Sequence, residues 1–224
     1  MRTEARVIDL SKTEYGTYAA PDTSRVIRNT YQLLALSTGV AGVGAGISML
    51  AGFGPLAGIV FTLLGLVPLF YLHKKRNTAA AVPAMLTFTG LSGLGIGPTL
   101  SHYVNMPGGS STVLTAAVIT TAVTLALTGY VHKTGKDFSR MGGFLFAGLI
   151  VVILASIAAI FVPAMHAGVS AVAALLFSGF ILYDSSRLVR GEEDNYVMAA
   201  VSMYLNVLNL FLSLLQLLGF SSND

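Results

Sequence analysis

Residues 168–219 read GVSAVAALLFSGFILYDSSRLVRGEEDNYVMAAVSMYLNVLNLFLSLLQLLG. Two long apolar runs flank a short charged loop. Each run has the length of a bilayer-spanning helix, about 20 residues. The first carries Asp184, the one acidic residue inside any apolar run of the chain. The second carries Ser202, Asn206, Asn209, Ser213 and Gln216. Their spacings are 4, 3, 4 and 3, which lays all five along one face of an α-helix. Burying an ionisable group in hydrocarbon costs at least about 2.5–3.5 kcal/mol. A polar stripe on a spanning helix is also unfavourable unless it faces other helices or water. The pair therefore reads as the polar interior of a membrane protein.

Composition extends that reading to the whole chain. Of 224 residues, 54% are hydrophobic and only 10% are charged, against about 25% charged in soluble domains. So little polar surface cannot solvate a globule, and the lipid bilayer is the implied surrounding. The net charge of +3 is spread over loops, which leaves no patch for a nucleic acid. The absence of cysteine excludes disulfides, thiolate metal sites and cysteine nucleophiles. His73, His102, His132 and His166 lie near span ends without helical ligand spacing, so no metal site is expected. The loop charges Arg190, Glu192, Glu193 and Asp194 lack the alternating pattern of a calcium loop and read as solvated. No Walker loop, G-x-S-x-G or H-E-x-x-H is present. Neither catalysis nor a cofactor is expected.

The hydrophobic pattern predicts an all-α, polytopic membrane protein with a bundle of seven transmembrane helices at 31–51, 55–73, 79–103, 112–132, 141–162, 165–186 and 196–218. Residues 1–29 form a mixed-charge tail, followed by one transmembrane domain over 30–224. The tail reads either as a solvated cytoplasmic segment or as a handle for a protease or chaperone. It lacks a secretory signal, so insertion would use the first span. Every second loop is basic: Arg25 and Arg28 precede the first span, and Lys74, Lys75, Arg76, Lys133, Lys136, Arg140, Arg187 and Arg190 occupy the others. The alternate loops, near 52–54, 105–111 and 163–164, carry no Lys or Arg. The positive-inside rule then places the N-terminus in the cytoplasm and the C-terminus on the other side.

Gly42 with Gly46 and Gly93 with Gly97 form G-x-x-x-G pairs that permit close helix approach. Gly54 and Gly58 form another. The third span contains FTGLSGLGIGP, ending at Pro98, which predicts a kink or local unwinding. It serves either packing or a hinge. Two readings also stand for Asp184. It pairs with Arg187 one turn away, or it is a proton- or cation-responsive group in a cavity lined by the polar face of the last span. The stripe likewise either glues helices together or lines that cavity.

ILYDSSRLVRG followed by EEDNYVMAAVSMYLNVLNLFLSLLQLLG strongly resembles the C-terminal signature of the Bax inhibitor-1 (TMBIM) family. SRVIRNTYQLLALS, MLTFTGLSGLGIGPTLSHY and SLLQLLGFSSND are similar to its bacterial YccA branch. The resemblance implies a seven-helix inner-membrane protein with a cytoplasmic N-terminus, in agreement with the loops. In the wider family it implies a pH-sensitive calcium leak through two facing aspartates in the last two helices. One position matches Asp184; the other is Asn206, where the family pattern has an aspartate. Two close carboxylates share a proton and titrate as a pair; an aspartate opposite an amide does not. For the YccA branch the resemblance implies binding and modulation of the ATP-dependent membrane protease FtsH. That role requires no catalytic residue.

Overall fold

The computed structural model describes residues 23–221. Most of the expected tail, residues 1–22, lies outside the described residues, as do residues 222–224. Within them the chain forms seven long α-helices and no strand. These are α1 (Thr23–Leu50), α2 (Pro55–Lys75), α3 (Ala81–Val104), α4 (Gly109–Thr134), α5 (Gly142–Phe161), α6 (His166–Val189) and α7 (Tyr196–Ser221). Single 3-10 turns at Ser139–Met141 and Pro163–Met165 flank α5. The tail boundary expected at residue 29 falls inside α1. That helix starts earlier because Val26 and Thr30 are buried on one side while Arg25 and Arg28 keep to the open side.

Six helices are long and apolar enough to cross a membrane, all but α3. The third helix has the length, 24 residues or about 36 Å. Gly90, Gly93, Gly95, Gly97, Pro83 and Pro98, with its hydroxyls, lower its hydropathy. It is also the helix clamped between two others, α1 and α2. A Cβ on Gly93 would strike the carbonyl oxygen of Ala41, and one on Gly97 would strike Ser48, both on α1. On α2, Gly58 leaves room for Gly95 O and for the ring of Pro98, at 2.8 and 3.1 Å from where a Cβ would lie. Held on both sides, α3 runs unbroken through Pro98, and the expected unwinding is not found.

The α1 side of this contact differs from the expected glycine pair. A Cβ on Gly42 or Gly46 would meet nothing within 4 Å, whereas one on Gly44 would lie 2.6 Å from Gly90 O. Residues two apart on a helix point about 200° away from each other, so only one phase can face α3. Gly42 and Gly46 instead border an apolar cleft of about 380 Å³ reaching α4 and α7.

Burial shows which helix is central. The apolar window of α7 is 50% buried, against 17% for α2, α4 and α5. The last helix packs on α6, α4, α1 and α3, and its Ala200, Met203, Tyr204, Leu210 and Leu215 are almost fully enclosed. Leu56, Leu63, Val67 and Phe70 on α2, and Phe144, Val151, Leu154 and Phe161 on α5, are exposed. Large apolar side chains outside and serines and threonines inside suit a lipid surround.

The ends of the bundle are organised by two short motifs. Gly191, at φ +70°, closes α6. The Glu192 N–H then donates to Arg187 O at 2.9 Å and the Gly191 N–H to Leu188 O at 3.2 Å, the paired bonds of a Schellman cap. Asn195 caps α7, its Oδ1 accepting from the N–H groups of Val197 and Met198, both at 3.0 Å. Its Nδ2 donates to Arg76 O at 2.9 Å and to Asn77 Oδ1 at 2.8 Å. One side chain thus ties the start of the last helix to the α2–α3 loop.

Candidate functional site

The polar face of α7 follows from the 4, 3, 4, 3 spacing. Ser202, Asn206, Asn209, Ser213 and Gln216 all line one cavity of about 520 Å³. Its other walls are Leu149, Val152, Ile153 and Ser156 of α5, and Val169, Ser170, Ala173, Phe177 and Phe180 of α6. One wall is polar and the facing walls are mostly apolar. Mostly apolar pockets of this size with a few fixed polar groups are what small-molecule and cofactor sites look like in general.

Asp184 sits beyond the end of this cavity. Its Oδ2 accepts from Ser202 Oγ at 2.6 Å and from Asn206 Nδ2 at 2.7 Å. These two stripe residues join the carboxylate of α6 to α7. Short bonds to an ionised acceptor are about twice as strong as neutral ones. Asn206 is buried and Asp184 half-buried. Arg187 does not form the ion pair that its spacing allowed. Its Nε lies 3.9 Å from Glu192 Oε2 and its Nη2 lies 3.6 Å from Glu193 Oε2. The Schellman turn brings these acids round to it, while Asp184, three residues earlier, faces α7.

The remaining stripe residues are used differently. Asn209 Nδ2 donates to Leu205 O at 2.8 Å, and Ser213 Oγ donates to Asn209 O at 2.7 Å, both within α7. Gln216 Oε1 accepts from Ser170 Oγ at 3.0 Å. Ser170 did not stand out in the sequence, yet it had a signal. Ser170, Ala173, Phe177, Phe180 and Asp184 repeat at 3, 4, 3, 4 on α6, the mirror of the stripe they face. Asn195 was missed as well, although an asparagine just before an apolar run is a helix-start signal.

A lattice of bonds closes the same end of the bundle. Arg190 Nη2 lies 3.5 Å from Asp137 Oδ2, and its Nε donates to Glu192 Oε1 at 2.9 Å. Asp137 Oδ1 accepts from the N–H and hydroxyl of Ser139 at 2.8 and 2.6 Å. The Ser139 hydroxyl and N–H, then Arg190 and Arg140, hold the Asp137 carboxyl below its ordinary range. Ser186 Oγ accepts from Phe138 N–H at 2.9 Å. Among the described residues no group of three or more His, Cys, Asp or Glu is placed to hold a metal ion.

Comparison with known proteins adds to this geometry. A family model described as "Inhibitor of apoptosis-promoting Bax1" matches residues 23–223. The chain is 44% identical over 206 residues to a protein of Vibrio cholerae named only as a membrane protein, covering 91% of this chain and 92% of that one. It is 39% identical over 206 residues to a protein of Escherichia coli strain K12 named modulator of FtsH protease YccA, covering 90% and 93%.

Proposed function

The chain belongs to the Bax inhibitor-1 family, and from that premise we propose that it is an inner-membrane protein that binds and modulates an FtsH-type membrane protease. The observation that carries this reading is the similarity, over 90% of this chain and 93% of the other, to the Escherichia coli relative named as such a modulator. The form of the molecule supports it. A lipid-facing bundle with a stitched loop face is suited to holding a partner within the membrane. We further propose seven spans with the N-terminus in the cytoplasm. In support, the bonds Asn195–Asn77 and Arg190–Asp137 gather the basic loops at one end. At the other end His166 and Phe220 meet, with ring centroids 5.8 Å apart. Co-purification of the intact protein with FtsH from mild detergent tests the main reading. Retention of the protease is expected, together with a changed half-life of its membrane substrates when this chain is overproduced. Loss of the protease under every mild extraction overturns it.

A second reading has its own observation. It is a calcium or proton leak gated near Asp184, and what supports it is that Ser202 and Asn206, which hold the Asp184 carboxylate, also line the cavity. Liposome flux by the wild type and by Asp184→Asn tests it. A gate at this acid requires pH-dependent flux that the variant alters. Identical flux from both at every pH removes the gate.

A further inference from the structure

We infer that the outward face of α2 is a site for an anionic phospholipid, with Lys74, Lys75 and Arg76 holding the phosphate of its headgroup and Leu63, Val67 and Tyr71 lying along its chains. This goes beyond both proposed functions and rests on neither. It requires only that the chain spans a bilayer.

The first observation is the place of α2. It packs on α3 and on no other helix to a comparable extent, so most of its circumference is open. Leu63, Val67, Phe70 and Tyr71 are all exposed. Residues 63, 67, 71 and 74 step by 4, 4 and 3, which puts them on one face. From Leu63 to Lys74 that face runs about 17 Å, close to half of a hydrocarbon core about 30 Å thick. It passes from apolar side chains through an aromatic ring to cations. A phospholipid has the same order from its chain ends to its phosphate, and tyrosine rings settle at the level of the headgroups.

The second observation is the distribution of charge. No acidic residue occurs between positions 23 and 136. Lys74, Lys75 and Arg76 are exposed, and among the described residues none of them forms an ion pair. The other loops at this end are balanced instead. Arg187 lies beside Glu192 and Glu193, and Arg190 beside Asp137 and Glu192. Residues 1–22 hold four acids and three bases, too even a mixture to supply the counter-charge.

The turn that bears the three cations is also held. Asn195 Nδ2 donates to Arg76 O and to Asn77 Oδ1. Thr78 donates to Lys75 O twice, from its hydroxyl at 2.8 Å and from its N–H at 3.0 Å. These bonds fix the backbone and use none of the three cationic side chains.

The choice of occupant follows from charge and register together. A partner's spanning helix covers the apolar face and leaves the cations without a counter-charge. An acidic soluble segment, or free phosphate, answers the cations and leaves the apolar face bare. A zwitterionic lipid sets its own cation against the three. An anionic phospholipid matches both parts, and juxtamembrane lysines and arginines attract such lipids. Helix α5 serves as an internal contrast. Its Phe144, Val151 and Leu154 are similarly exposed, but Arg140 at its basic end stands within the field of Asp137.

The test uses full-length protein in phosphatidylcholine vesicles. They contain a trace of phosphatidylglycerol with a photoreactive chain or, in a parallel sample, phosphatidylcholine with the same chain, and adducts are mapped by peptide mass spectrometry. Over residues 63–71 phosphatidylglycerol should be favoured at least about fivefold, the worth of one cation at a membrane surface. Over residues 144–154 the two lipids should label equally. Lys74→Gln, Lys75→Gln and Arg76→Gln together should remove the preference. Continued labelling of α2 by phosphatidylcholine in that variant shows that the helix is still in place. Arg140→Gln should leave the preference unchanged, and high salt should weaken it by screening. Equal labelling of α2 by both lipids in the wild type, a preference kept by the triple variant, or an equal preference at α5 overturns the inference. So does a result in native membranes in which neither lipid reaches α2, since a protein then covers that face. Co-purification with the protease is read separately, so the proposed function stands or falls on its own.

Discussion

Asp184 is the residue on which two helices agree. The sequence marked it as an acid stranded in an apolar run and marked the stripe beside it. What spacing alone could not tell was which members of the stripe reach the acid and which turn back to their own helix. Ser202 and Asn206 reach it; Asn209 and Ser213 do not. That division yields a paired expectation. Asn206→Leu, similar in shape, removes a bond to a charged acceptor and should cost about 1.5–3 kcal/mol. Asn209→Leu removes only a bond to Leu205 O and should cost about 1 kcal/mol or less. Reversible denaturation in detergent compares them, and equal losses would mean that the Asp184 contact carries no special weight. Asp137 supports a second expectation at this scale. Its carboxyl is held below the ordinary aspartate value of 3.8 by Ser139 first and by Arg190 and Arg140 after it. A depressed folded value means that the stabilisation is complete above the unfolded value and is lost as pH falls through the folded one. Protection against amide exchange over residues 135–141, relative to the unstructured rate at the same pH, should therefore fall at acid pH below that range. In Asp137→Asn the exchange should be faster at neutral pH and lose this acid step.

At the scale of elements, the contact between α1 and α3 shows where pattern reading stops. The sequence offered glycine pairs on both helices, and a chain with 24 glycines offers many. Helix phase decides among them, and phase depends on which face a neighbour covers. On α3 both Gly93 and Gly97 meet α1, while on α1 Gly44 does so and Gly42 and Gly46 border a cleft. Gly93→Ala would force a methyl into the Ala41 carbonyl, and overpacking of this kind costs about 1–3 kcal/mol. Gly42→Ala meets open space and should be neutral, or stabilising by about 0.5–1 kcal/mol through helix propensity. Thermal denaturation of the two variants checks the pair, and a Gly42→Ala variant as damaged as Gly93→Ala would place the α1–α3 seam elsewhere. Neighbours also explain why the helix does not unwind at Pro98. Proline removes a hydrogen bond from α3, but α1 and α2 grip the helix on either side of the gap.

For the whole molecule, the helical architecture was legible because each apolar run is long and each break is short and polar. The central place of α7 was only half legible. Its polar stripe marked it as inward-facing, but its neighbours follow from packing that no local period encodes. The third helix is the remaining question of topology. Its glycines, prolines and hydroxyls leave it without a stretch as apolar as those of the other six, and the same residues let it lie between α1 and α2. A helix shielded on two sides by apolar neighbours needs less lipid-facing hydrophobicity to cross a bilayer. Its two ends should therefore lie on opposite sides. Thr78 and Asn105 flank it, and both are exposed. In a chain without cysteine, Thr78→Cys and Asn105→Cys each provide a single reporter. With the basic loops in the cytoplasm, a membrane-impermeant maleimide should label position 105 in right-side-out vesicles and reach position 78 only after permeabilisation. Labelling of both from the same side would mean that α3 does not cross. Labelling of 78 alone would keep the seven spans and invert the molecule.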